Sequence, residues 1–255
     1  MTRRNLHLVP PNGPRGPSHE KGTPMADHTM LFAPKVRFLS TNESQFDSMM
    51  TWRAELEMAY RDSEGDTPEV VGGYAEFLTI RLGEHPIADL LDSLSQDALR
   101  FAPLFEEDDV DDSVQSQFDD APFNRLLIIT MVFVAEPLRG HNLGAWLVAE
   151  VIARMAGAID TLVLLHPYPA DMQTGDPAEP TAVKALHAFW QRTGLAPLRA
   201  HPGILGQSTA YTALPVVRRT LRPVESVQIA VPTSSIHAEH PTEWNLPRDS
   251  LIHDD

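Results

Sequence analysis

The chain has 255 residues, no cysteine, 42% hydrophobic residues and a formal net charge of −15. The absence of thiols excludes disulfides, thiolate nucleophiles and cysteine-bound zinc, and the negative charge disfavours nucleic acid and anionic lipid while favouring a cationic partner. No stretch approaches the roughly 20 apolar residues of a membrane helix, so the expectation is one sizeable domain in a soluble, cytoplasmic protein that binds neither membrane nor nucleic acid.

Residues 1–24 are rich in Pro, Gly and polar side chains without periodicity and read as a disordered tail. Met25 follows at once and offers a natural start. Residues 35–39 (KVRFL) predict a first strand. Over 43–61 the spacing of Phe46, Met49, Met50, Trp52, Leu56 and Tyr60 predicts a helix, and Gly65 and Pro68 mark a turn. Residues 70–82 read as a strand with Tyr74, Glu76, Leu78 and Ile80 on one face and a bulge at Gly72 and Gly73. Apolar spacing predicts a helix over 87–99, and the acidic run 106–112 reads as a solvated loop.

Residues 125–135 (RLLIITMVFVA) form the strongest strand, apolar as befits burial on both faces. A loop at 138–141 precedes a helix over 142–156. Residues 161–165 (TLVLL) are another buried strand, 181–192 a helix ending near Gly194, and 208–214 a last strand. From 215 to 255 the chain reads as a Pro-rich tail, leaving a domain over 31–214. The order strand, helix, strand, helix in the centre predicts an α/β fold with a partly parallel sheet, of the α+β mixed kind.

The informative segment runs from Val132 through Phe133, Val134 and Glu136 to Arg139, Gly140, His141, Asn142, Leu143, Gly144 and Ala145. A buried strand enters a loop and the loop opens a helix. The first amide groups of a helix lack internal partners and lie at the positive end of its dipole, which suits a phosphate. Gly140 and Gly144 remove side chains that would hold a diphosphate off the backbone, and Arg139 adds a fixed cation. The P-loop and dinucleotide fingerprints are absent.

Arg139-Gly-His-Asn-Leu-Gly-Ala145 resembles the acyl-CoA signature Q/R-x-x-G-x-G/A of the GNAT superfamily of N-acyltransferases. Asn142 stands where Gly is usual, a position that Asn tolerates through left-handed or helix-cap geometry. Further on, Leu186-His-Ala-Phe-Trp-Gln-Arg-Thr-Gly-Leu195 resembles the family's A-x-x-x-Y-x-x-x-G-F segment, with Trp190 at the Tyr position and Gly194 matching outright. The resemblance implies a central mixed β-sheet flanked by helices, with two central strands splayed apart. It implies acetyl-CoA, or another acyl-CoA, as co-substrate. The pyrophosphate would lie on the amides of His141, Asn142, Leu143, Gly144 and Ala145, and the pantetheine arm would pair with the main chain of Phe133 and Val134. Trp190 would pack against CoA or core. The acceptor would be an amine of a small molecule or basic peptide, and a homodimer is compatible with the family. A domain that binds CoA without catalysis is the alternative.

Indole N–H is no acid at neutral pH, so Trp190 cannot protonate the departing thiolate, and Tyr168 or water would do so. His166, following the strand 161–165, and Glu136, just before the loop, are candidate bases. No metal site is expected, because His237 and His240 lack helical i, i+4 spacing. No G-x-S-x-G elbow is present.

Overall fold

The structure, a computed structural model of the chain, describes residues 28–40, 46–119, 122–169 and 178–236. The expected N-terminal tail and the histidines at 237 and 240 lie outside the described residues. In chain order the elements are β1 (His28–Ser40), β2 (Met49–Tyr60), β3 (Glu69–Arg81), α1 (Ile87–Asp92), α2 (Gln96–Leu99), β4 (Phe105–Glu106), β5 (Asp109–Val110), α3 (Asp112–Gln115), β6 (Arg125–Val134), α4 (Leu143–Met155), β7 (Thr161–Leu165), α5 (Glu179–Trp190), β8 (Ala196–Pro197), β9 (Leu205–Ser208), α6 (Ala213–Leu221) and β10 (Ile229–Pro232). Eight strands form one mixed sheet in the order β10-β1-β2-β3-β6-β7-β9-β8. Neighbours run antiparallel except β6 and β7, which are parallel because α4 carries the chain back between them. Helices pack on both faces, so the fold is mixed α/β, as expected.

Each face of the sheet has its own core. On one face Ala54, Leu56, Ala75, Phe77, Leu127 and Ile129 pack under α4 with Leu143, Leu147 and Val151. On the other, Leu78, Ile80, Leu126, Ile128 and Leu164 pack under α1–α3 with Leu90, Leu91, Phe101 and Val114.

Five expectations are corrected. The segment 43–61 is not a helix where it is described: residues 49–60 are strand β2, pairing β1 and β3 throughout. Trp52, Ala54, Leu56, Met58 and Tyr60 alternate with Arg53, Glu55 and Glu57, and that period of two matches the pleat. The helix expected over 87–99 breaks at Ser93, and Ser95 caps the second piece by accepting the Ala98 N–H at 3.2 Å. The acidic run is a two-stranded ribbon turning at Glu107, whose φ is 54°. The strand expected over 208–214 lies at Leu205–Ser208, and the domain does not stop at 214: α6 follows, and a further strand, β10, pairs with the start of β1. Gly72 is the extra residue of a bulge in β3, because Leu56 pairs with Gly73 and Glu57 with Val71.

One carboxylate links α6 to α4, beside the packing of Leu214 and Leu221 into their shared core. Glu150 has a side chain only 3% exposed. It accepts from Arg218 Nε at 2.7 Å, Arg218 Nη2 at 3.0 Å and Arg154 Nε at 3.2 Å. Burial alone would raise the Glu150 carboxyl, but the hydrogen bonds and charge of Arg218, with those of Arg154, outweigh it and hold the group below its ordinary 4.5. A depressed carboxylate contributes stability above its unfolded value that is lost as pH falls through the folded one. Glu150→Ala is therefore expected to lower the unfolding free energy by about 1.5–3 kcal/mol, with the difference from the parent shrinking as pH falls below 4.5 and through the folded value. Urea melts across pH check this, and equal midpoints at neutral pH would contradict it.

Candidate functional site

The site is organised by where β6 and β7 part. Their parallel pairing runs from Arg125 with Thr161 to Ile129 with Leu165 and stops. β6 continues to Val134, paired with β3, while β7 gives way to His166-Pro-Tyr-Pro169, in which two prolines lack the N–H that a ladder needs. At the same level β6 bulges: Ile129 pairs with Phe77 and Met131 with Glu76, leaving Thr130 over, and its hydroxyl donates to Glu76 O at 3.1 Å. The upper part of β6 thus presents a sheet edge with no strand beside it among the described residues.

Strand amides alternate sides. The Ala135 N–H donates to Gly72 O on β3 at 3.0 Å, so the main-chain groups of Phe133 also turn to β3, and those of Val132 and Val134 face the open edge. The sequence-based pair Phe133 and Val134 is amended accordingly: Val134 lies at the edge with Val132, and Phe133 contributes its ring instead, stacked 5.5 Å from Tyr74.

The expected loop leads directly from that edge. A 3-10 turn at Glu136–Leu138 is followed by Arg139, Gly140 (φ 88°), His141 and Asn142, and α4 begins at Leu143. Asn142 takes the left-handed conformation (φ 61°) and makes no side-chain cap, so of its two tolerated roles only the backbone one is used. The first helical hydrogen bond is Trp146 N–H to Asn142 O at 2.9 Å. The amides of Leu143, Gly144 and Ala145 have no acceptor among the described residues. Arg139, Gly140 and His141 are exposed, and Arg139 folds back so that its Nε donates to Val134 O at 2.9 Å. The other guanidinium donors of Arg139 make no hydrogen bond among the described residues.

Gly144 is buried between β6 and α5. A Cβ there would face Val134 Cγ2 at 3.4 Å, Trp190 Cη2 at 3.8 Å and Phe189 Cζ at 3.9 Å, ordinary van der Waals distances, so α5 lines the first turn of α4 without requiring glycine at this position. Trp190 is 8% exposed and belongs to the core under α4, a wall of the helix start rather than a group open to chemistry.

Of the proton-transfer candidates, His166 lies at the parting of the strands. It stacks on Tyr168 at 6.0 Å and meets the edge of Phe101 at 6.4 Å, on the face away from α4. Burial pushes its pKa below 6.5, the nearby Arg100 and His187 push the same way, and Asp97 opposes them. The imidazole is therefore neutral at neutral pH. Tyr168 donates its hydroxyl to Glu179 Oε1 at 3.1 Å and lies under Arg100, 4.9 Å from the ring centre. Glu136 is exposed on the 3-10 turn and carries no described side-chain partner.

Sequence reasoning missed a cluster on the same far face. Tyr74 and Glu76 of β3 stand opposite Phe133 and Met131 of β6. Arg53 of β2 lies over the Tyr74 ring at 3.9 Å and within 3.5 Å of Glu76. Its Nε is buried without a hydrogen-bond partner among the described residues. Burial raises the Glu76 carboxyl despite the opposing charge of Arg53, and burial also raises the Tyr74 phenol. The available signal was a carboxylate in an apolar strand.

Among the described residues no three His, Asp or Glu side chains are placed to hold a metal, and no helix is long and apolar enough to cross a membrane. Comparison with models of known protein families, with curated proteins and with solved structures returned no match.

The low His166 pKa is open to test. An NMR titration is expected to give a midpoint below 6.5. Because the unfolded chain then takes up the proton first, stability should fall as pH drops below that value. A midpoint at or above 6.5 would remove the neutral imidazole.

Proposed function

We propose that the protein is an acyl-CoA-dependent N-acyltransferase, transferring an acetyl group to an amine, with the strand–loop–helix at β6–α4 as the CoA site. The observation that carries this reading is the juxtaposition of uncapped first-turn amides on α4 with the unpaired edge of β6. One binds a diphosphate, through partial positive charge and free donors. The other binds an extended amide-bearing chain as an added strand would. CoA has those two parts in that order.

In this reading the diphosphate takes the amides of Leu143, Gly144 and Ala145, with His141 and Asn142 beside them and the spare donors of Arg139 alongside. The pantetheine arm pairs with Val132 and the Val134 N–H. The thioester then enters the gap where β7 has turned away. A neutral amine attacks the acyl carbon from the far face, the C–N bond forms and the C–S bond breaks. His166 takes a proton from the amine, directly or through water, and the leaving thiolate takes one from water. An ammonium acceptor thus gives amide, free CoA thiol and one released proton.

Trp190 favours a second reading, a CoA-binding module without turnover, because it stands buried where the resemblance expects an acidic Tyr. A thiol-release assay with acetyl-CoA and a panel of amines separates the two: turnover on any amine supports the transferase, and binding without turnover supports the module.

Arg139→Glu tests the site itself. The residue is exposed, so the fold should survive. Loss of charge-assisted hydrogen bonds to phosphate should weaken CoA binding by about tenfold or more, read by calorimetry. Unchanged affinity would remove the loop from the site.

A further inference from the structure

On the far face of the sheet, across β1, β2 and β3, the charges are nearly but not fully matched. Glu57 is paired by Lys35 at 3.2 Å and Arg37 at 3.6 Å, and Glu69 by the same Lys35. Arg53 is shared by Glu55 at 3.7 Å and Glu76 at 3.5 Å. Four carboxylates against three cations leave one negative charge over. Glu76 is where it falls: its side chain is 34% exposed, its one cation is shared, and neither contact is short enough for a good hydrogen bond. Burial makes that carboxylate costly to keep ionised, and one further cation would offset the cost.

What surrounds Glu76 is apolar. Met131, its cross-strand partner, is 38% exposed and among the few large hydrophobic side chains so exposed. Its sulfur accepts from the Tyr74 hydroxyl at 3.4 Å, and Tyr74 stacks on Phe133. A polarizable thioether flanked by rings suits a flat apolar group. A polyamine or basic peptide would bring further charges against Arg53, Arg37 and Lys35 instead.

Resting on the transferase reading, we infer that the acceptor is a monoamine carrying an aromatic or similarly flat apolar group, its ammonium received by Glu76 and its apolar part by Met131 and Phe133. The site lies on the face opposite α4, so acceptor and CoA approach the gap from opposite sides. A short chain between ring and nitrogen lets the amine swing from Glu76 to the gap, where His166 stands on the other lip. The net charge of −15 does not make the acceptor polycationic, because the excess on this face of β1–β3 amounts to one negative charge.

The full chain, labelled at methionine methyl groups, is titrated with 2-phenylethylamine and separately with spermidine, with and without CoA. The expected result is a saturable shift of the Met131 methyl by 2-phenylethylamine, at lower concentration than by spermidine, with Glu76→Gln weakening the phenylethylamine response about tenfold or more. Met131→Ala, a change at an exposed side chain, should weaken calorimetric binding of the same amine. An unmoved Met131 methyl, an unaffected Glu76→Gln variant or preference for spermidine would overturn the inference. The titration requires no acyl transfer. Failure to bind CoA with this amine response intact would therefore count against the transferase reading alone, whereas CoA binding with preferential use of spermidine would count against the acceptor alone.

Discussion

The structure depends on β6 outlasting its parallel neighbour. A strand buried in the middle of a sheet normally has both rows of amides satisfied, since an unpaired buried amide costs about as much as a lost hydrogen bond. Here β7 stops at Leu165 and prolines follow at 167 and 169, while β6 runs five residues further. The Thr130 bulge sits at the same level, spliced to β3 through the Thr130 hydroxyl. Arg139 covers one of the orphaned carbonyls, that of Val134. The rest of the edge has no strand beside it among the described residues, and the chain that leaves it enters α4 with three amides that have no acceptor there.

The close packing around this opening explains residues that a motif reading would treat as ligand contacts. Phe189 and Trp190 pack at the start of α4, and Leu138 sits on Gly72, where a Cβ would collide with its Cδ1. At Gly73 a Cβ would come within 2.5 Å of Phe133 O, so any side chain there would push β3 from β6 at the opening itself. The two glycines of β3 are thus part of the site's frame, though they touch no proposed ligand.

What the sequence disclosed, and what it hid, follows from the range of the interactions involved. β6, α4 and β7 were legible because each is a run of apolar residues with its punctuation nearby. β2 was misread because Ala, Glu, Leu and Met are strong helix formers, and the Trp and Met residues happen to fall at helical intervals. The alternation of Arg53, Glu55 and Glu57 with apolar partners was the better guide, and only pairing on both sides makes it decisive. β10, four residues long, exists because β1 is there to receive it, and no local pattern announces that. The loop was legible as a strand-to-helix turn, and His166 as the residue that follows a strand. Glu76, Arg53 and Met131 were not, because their meeting depends on cross-strand register around a bulge.

The proposal stands or falls on one extended ligand spanning the helix start and the open strand edge. The decisive experiment titrates the isotopically labelled protein with acetyl-CoA and follows the backbone amides by NMR. Saturable shifts are expected at Leu143, Gly144 and Ala145 together with Val132 and Val134, while the paired amides of β1 stay in place. Shifts at neither group, or at the helix start without the strand edge, would refute it.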